Sequence, residues 1–303
     1  MRPPERLIRR VGWALDHEDP LEVYERRGRE HWDLVRSLLP DGFALEGRRA
    51  LEFGCGAGRI LTHAAADDTG AELWGAEIDE ESVDWLRANR SLPIRVVRSG
   101  ERPPLPDVPD GHFDLVWAFS VFTHLTDSWS AWLAELHRVL APGGILIATV
   151  FGPGHSAWGE EPAGEDAVGM NVFRPATSWD GGGPFVIHSE WWIRAHWGRA
   201  FEVLELTPGH PDGRPPLYGQ SAVVMRRRPG EATAEELERP EPDEPREVTA
   251  ARQNVASMAR EVVRLSAENE IYRTSRSWRM TEPLRAAGRR LRALARRAGP
   301  HRR

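Results

Sequence analysis

The run Leu51-Glu52-Phe53-Gly54-Cys55-Gly56-Ala57-Gly58-Arg59 holds the chain's sharpest chemical signal. Its spacing is G-x-G-x-G, with an acid, Glu52, two residues ahead of the first glycine. A glycine turn at the C-terminal end of a strand lets backbone approach a ligand closely, and an open parallel sheet binds ligands at that end. The dinucleotide fingerprint G-x-G-x-x-G would need glycine where Arg59 stands. The next acid at a strand end is Glu77, 23 residues after Gly54, where a carboxylate accepts hydrogen bonds from ribose hydroxyls. Glycines can also serve only to turn strand into helix. Here the preceding strand, the following helix and the spaced acid argue together for a ribose-bearing ligand.

His124, in Ser120-Val121-Phe122-Thr123-His124-Leu125, falls just beyond a strand at the mouth of the same cleft. An imidazole there suits a general base, and its alternative is a ring that only hydrogen-bonds backbone. His155 and His188 are rivals, on a loop and before a helix. Trp191 and Trp192 suit stacking on a sugar or an aromatic acceptor, or plain core packing. Gly154-His155-Ser156-Ala157-Trp158 lacks the last glycine of a nucleophile elbow. There is no H-E-x-x-H and no C-x-x-C, so no metal site is expected, although Glu77-Ile78-Asp79 has the look of a D-x-D pair.

Composition narrows the classes further. The 303 residues are 40% hydrophobic and 28% charged, the balance of a soluble globular chain. The net charge of −6 argues against a nucleic-acid partner, and the single cysteine excludes a disulfide framework or a thiolate-rich metal site. All 40 basic residues are arginine. Without lysine there is neither Schiff-base chemistry nor a P-loop. No apolar run approaches the ~18 residues of a membrane span, and no apolar stretch follows the charged start, so a cytoplasmic location is expected.

The elements that must hold these residues alternate. Strands are predicted at 49–53, 72–77, 94–97, 113–119 and 145–150, with helices near 59–66, 80–89 and 129–140. Val83, Leu86 and Ala88 mark the inner side of the second of these helices. Strands at 201–206 and 222–226 complete a sheet of seven. This pattern predicts a doubly wound, mostly parallel α/β fold behind a helical cap over residues 1–45.

These residues resemble the class I S-adenosylmethionine-dependent methyltransferases. The glycine turn matches that family's first motif and Glu77 its ribose-binding acid. Asp110-Gly111-His112-Phe113-Asp114-Leu115-Val116 and Leu140-Ala141-Pro142-Gly143-Gly144 match the approaches to its fourth and fifth strands. The resemblance covers residues 45–150. It implies S-adenosyl-L-methionine as cofactor, held by Glu52, Gly54, Cys55, Gly56, Gly58, Glu77 and Ile78, with Ala118, Phe119 and Ser120 lining the methionine end. The family's adenine-binding aspartate is missing from Arg98-Ser99-Gly100-Glu101, and Glu101 is the substitute. His124 is then the base for an oxygen acceptor.

Charge divides the remainder. Residues 1–228 carry −10 and the segment 229–250 carries −6, with eight acids and four prolines, which predicts a flexible linker over 229–247. Apolar residues at 248, 251, 255, 258, 262 and 265 follow a heptad with Asn269 at an a position, which predicts a parallel homodimeric coiled coil over 248–275. Residues 271–303 carry +10, and 276–303 read as a basic amphipathic segment able to lie on the inner face of an anionic membrane, with Thr281 capping its helix. The string Ser275-Arg276-Ser277-Trp278-Arg279-Met280-Thr281 resembles tails of bacterial glycosyltransferases and their companions. That likeness implies glycosyltransferase partners and a glycan, lipid-linked glycan or small-molecule acceptor in envelope polysaccharide synthesis. The competing readings are a glycosyltransferase, a methyltransferase of other metabolism, and a non-catalytic assembly factor.

Overall fold

The computed structural model describes residues 2–11, 18–89, 93–153, 168–173, 184–210 and 212–282. Two helices open the chain, α1 (Glu5–Val11) and α2 (Pro20–Ser37). Asp19 caps α2, its Oδ1 accepting from the N–H groups of Leu21 and Glu22, and Pro20 presets the first turn. Then follow β1 (Arg49–Phe53), α3 (Leu61–Ala66), β2 (Glu72–Glu77), α4 (Glu80–Ala88), β3 (Ile94–Arg98), β4 (Phe113–Ala118), α5 (Trp129–Val139) and β5 (Leu140–Phe151). The chain continues through β6 (Met170–Phe173), β7 (Phe185–His188), α6 (Glu190–His196), β8 (Phe201–Thr207), β9 (Gln220–Arg227), α7 (Ala234–Glu238), α8 (Arg246–Thr274) and α9 (Arg276–Met280).

The strands β3, β2, β1, β4 and β5 lie side by side in that order, all parallel. β9 pairs antiparallel with β5, and β8 with β9, which completes the doubly wound sheet of seven. The order reverses between β1 and β4, and a ligand crevice opens at such a switch point. Both faces are covered, so β1, β4 and β5 are apolar nearly throughout. Along α4 the buried residues are Ser82, Val83 and Leu86, while Ala88 faces solvent.

Three expectations need correction. The described sheet has nine strands, because the short hairpin β6–β7 joins it through a single pair, Phe151 with Ile187. The segment 229–247 is a strap, not a free linker. Its Leu237 is 1% exposed within the core, and the Arg199 guanidinium donates to the carbonyls of Glu236, Leu237 and Arg239. A chain with little apolar surface thus docks mainly through its backbone. The compact unit accordingly runs to Asn254, past the expected linker at 229–247.

Residues 255–303 form the second unit. Its described part is the remainder of α8 together with α9, with Val255, Met258, Val262, Ile271 and Tyr272 exposed. Ser275 caps α9, accepting from the Trp278 N–H, and the helix expected after Thr281 lies outside the described residues. Residues 283–303, most of the basic segment, lie outside the described residues, as does His155. No described helix is long and apolar enough to cross a membrane.

Candidate functional site

A cavity of about 1030 Å³ opens at the C-terminal ends of the parallel strands. Its floor is the glycine turn. Gly54 takes a left-handed φ of 79°, and a Cβ there would lie 2.4 Å from Val121 Cγ2. Only glycine fits. The N–H groups of Gly54 and Cys55 both donate to the Ala76 carbonyl, which ties the turn to β2.

Glu77 closes that corner. Its Oε2 accepts the Gly56 N–H at 2.6 Å, and its Oε1 accepts those of Ile78 and Asp79 at 2.8 and 2.9 Å. Burial pushes the carboxyl up, opposed by these three donors. Asp79 meanwhile caps α4 through the N–H and hydroxyl of Ser82. Both acids of the D-x-D-like pair are therefore engaged by backbone or a cap. Among the described residues no group of three His, Cys, Asp or Glu could hold a metal.

Glu52 lies deeper, 3% exposed, with Oε2 lacking a partner. Burial pushes its carboxyl up to about 8 despite the neighbouring Arg59 guanidinium. Cys55 also lines the cavity, and burial raises its thiol. Phe119 and Ser120 face the cavity from the end of β4. Ser120 has a left-handed φ of 58°, held by its N–H to Thr149 Oγ1 at 2.8 Å and by Gln220 Nε2 to its hydroxyl at 2.6 Å. Backbone strain of this kind gathers at ligand sites. Glu101 stands exposed at the rim.

Two expected residues do not line the cavity. Gly58 serves packing, since a Cβ would meet Leu86 Cδ2 at 2.9 Å, and Ala118 is fully buried below the floor.

The roof is the part that sequence reasoning missed. Arg27 and His31, one turn apart on α2, line it with Leu7, Leu217 and Tyr218. Arg59 Nη1 donates to His31 Nδ1 at 2.9 Å, and burial with that guanidinium holds the imidazole down to about 2. Arg27 lies over the Tyr218 ring at 4.2 Å, and the Tyr218 hydroxyl donates to Glu30. The Arg27–His31 spacing, four residues on one helical face, is a signal in the sequence from which this surface could be found.

The open side holds His124, Leu125, Phe151 and Phe185. The His124 Nδ1–H donates to the Pro184 carbonyl at 2.8 Å, and burial holds the ring below its usual range. His188 is elsewhere, packed 5.5 Å from both Trp192 and Trp197 with neither ring nitrogen bonded. Trp191 and Trp192 belong to the core, and Trp191 Nε1 donates to the Val168 carbonyl.

The residues present fit S-adenosylmethionine. Buried polar atoms without partners, Glu52 Oε2, Gln220 Oε1 and Arg27 Nε, belong to residues that line the cavity. Buried polar atoms are rarely left unbonded, and the cofactor's ammonium, carboxylate and diol supply the matching groups.

Comparison with known proteins agrees. Residues 51–148 match the family described as "Methyltransferase domain". The chain is 28% identical over 160 residues to phthiotriol/phenolphthiotriol dimycocerosates methyltransferase 1 of Mycobacterium ulcerans, covering 51% of this chain and 58% of that protein. It is 30% identical over 105 residues to the fatty-acid O-methyltransferase of Mycolicibacterium smegmatis, covering 35% of this chain and 38% of that one. The chain thus spans about half the length, or less, of these relatives. A crystal structure of an S-adenosylmethionine-dependent methyltransferase from Mesorhizobium loti shares the fold, with TM-score 0.51, 20% identity and coverage of 65% of this chain and 98% of that one. Residues 51–148 therefore match a methyltransferase domain, and the site fits S-adenosylmethionine as its cofactor.

Proposed function

We propose that the whole chain is an S-adenosylmethionine-dependent O-methyltransferase acting on a hydroxyl of an amphiphilic acceptor, a sugar or lipid-linked glycan of the cell envelope. When bound, S-adenosylmethionine supplies a methyl carbon on a sulfonium, open to in-line attack. Glu77 takes the ribose diol, Gly54 and Gly56 present backbone, and Glu101 meets the adenine edge. At the methionine end Glu52 faces the ammonium while Arg27 and Arg59 face the carboxylate. Phe119 and Ser120 form the wall beside the reacting carbon.

The observation that carries the reading is the state of His124. With Nδ1–H spent on the Pro184 carbonyl, the neutral ring keeps its lone pair on Nε2, the nitrogen a general base uses. Nε2 would accept the proton that the acceptor hydroxyl loses as its oxygen displaces the sulfonium sulfur from the methyl carbon, the sulfur leaving as a neutral thioether. Leu125, Phe151 and Phe185 beside it suit an apolar acceptor body. The lipids named for the two mycobacterial relatives support an amphiphile, and the 275–281 string supports a glycan.

The proposal extends to assembly. A second copy pairs along the seam of exposed Val255, Met258 and Val262 with half-buried Leu265 in a parallel coiled coil, with Asn269 favouring two strands. The basic segment 276–303 rests on an anionic membrane face beside glycosyltransferase partners. The test is transfer of label from methyl-tritiated S-adenosylmethionine into a fractionated envelope extract. Label in glycolipid supports the reading, and label confined to small water-soluble metabolites overturns its acceptor class.

A further inference from the structure

β6 is a strand of four residues at the end of the hydrogen-bonded path, and its partner β7 touches the main sheet through one residue pair. A hairpin so lightly attached needs another anchor. Asn254, on α8, supplies one. Its Nδ2 donates to the Met170 carbonyl at 2.7 Å, and its Oδ1 accepts the Val172 N–H at 3.0 Å. These are the two bonds that a residue of a neighbouring parallel strand would make opposite Asn171, so one carboxamide replaces a missing strand and covers the edge.

Asn171, 1% exposed, answers from the strand. Its Nδ2 donates to the Ala250 carbonyl at 3.2 Å and to Asn254 Oδ1 at 3.0 Å. Its Oδ1 accepts the Gly169 N–H at 3.2 Å. Gly169 permits the approach, since a Cβ there would lie 2.9 Å from that of Ala250.

The clamp leads to the cleft within two bonds. Val172, held by Asn254, pairs with Val186. The Val186 N–H donates to the Thr123 carbonyl at 2.9 Å, and two residues earlier the Pro184 carbonyl receives the His124 Nδ1–H. Both bonds that fix the Thr123–His124 turn from this side therefore come from β7 or the residue before it.

We propose that Asn254 and Asn171 are positioning residues for His124, through which the docking of α8 sets the orientation of the imidazole in the cleft. This rests on the methyltransferase reading only in the role given to His124. The clamp itself is independent of it. Neither asparagine lines the cavity.

The experiment is nitrogen-15 NMR of the histidine rings in the full chain, with a parallel calorimetric titration of S-adenosylhomocysteine. In the wild type, His124 shows a neutral ring protonated at Nδ1 and slow exchange of that proton. Asn254→Ala frees the hairpin, and exchange at His124 Nδ1 speeds at least about 10-fold with both tautomers populated, as expected for a local opening. S-adenosylhomocysteine affinity stays within about threefold, because its contacts lie on other elements. Asn254→Asp keeps shape and the acceptor for Val172 but loses the donor to Met170. It gives a smaller change of the same kind and serves should the alanine variant fail to fold. A His124 ring unchanged in both variants overturns the proposal, as does a change matched by equal loss of cofactor affinity. A wild type that binds no S-adenosylhomocysteine would refute the methyltransferase reading while leaving the His124 comparison interpretable.

Discussion

His124 and Pro184 are joined by one hydrogen bond, Nδ1–H to carbonyl at 2.8 Å, and that bond decides which ring nitrogen can take a proton. Burial holds the ring below the usual imidazole range, so it is neutral near pH 7. A base acts only when neutral. Turnover is therefore level around neutrality and falls about tenfold per pH unit only on an acid limb below the ordinary imidazole pKa of about 6.5. His124→Ala lowers turnover by about 100-fold with S-adenosylhomocysteine affinity unchanged. Single-turnover kinetics across pH checks both, and a loss under threefold removes His124 as base.

His31 gives the fold its own pH dependence. Its ring is held down to about 2 from an ordinary 6.5. Above pH 6.5 folded and unfolded chains are both neutral there. Below it the unfolded chain takes up a proton that the folded one refuses, so stability drops as pH falls, by about 1.4 kcal/mol per unit until the folded value is reached. His31→Gln keeps an acceptor for Arg59 and removes this term. Urea unfolding near pH 7 and pH 5 should show wild type losing about 2 kcal/mol more than the variant. Equal losses would mean that His31 is not buried neutral.

The strap predicts where the chain can be cut. Residues 1–254 fold and bind cofactor, whereas a chain ending at 228 loses the buried Leu237, worth about 2–5 kcal/mol alone. Thermal unfolding of the two truncations, with Leu237→Ala in the full chain, measures the difference. Equal stability of the truncations would restore the linker.

Sequence pattern exposed some of this architecture and hid the rest for definite reasons. β1 to β5 were legible because buried parallel strands carry unbroken apolar runs that turn residues bound. β6 and β7 were not, since four residues give periodicity too little to work on and glycines and prolines surround them. The strap escaped because composition counts side chains while Arg199 binds carbonyls. On α8 the heptad drew attention to Val248 and Ala251, yet the face that meets the domain carries Ala250 and Asn254, and Val248 is exposed. Both stripes are present in one helix, and nothing local says which one a surface will use. In the site, Glu77, Gly54 and His124 could be read from their places at strand ends. The roof of Arg27, His31 and Tyr218 forms only when distant segments meet.

The seam on the second unit predicts a dimer. Light scattering of the full chain gives twice the monomer mass, and changing Val255 and Val262 to Asp gives the monomer, because charges at two a positions cannot be buried in a coiled-coil core. A monomeric wild type at tens of micromolar would remove the coiled coil.

The cofactor assignment is tested by calorimetric titration of S-adenosylhomocysteine into the wild type and Glu77→Ala, with NAD as the competing ligand. The assignment requires saturable one-site binding of S-adenosylhomocysteine, none of NAD, and affinity weakened in the variant by about 2–3 kcal/mol through lost hydrogen bonds to a charged acceptor. Circular dichroism of the variant confirms that it folds. Binding of NAD instead, or equal affinity in a folded Glu77→Ala, would contradict it.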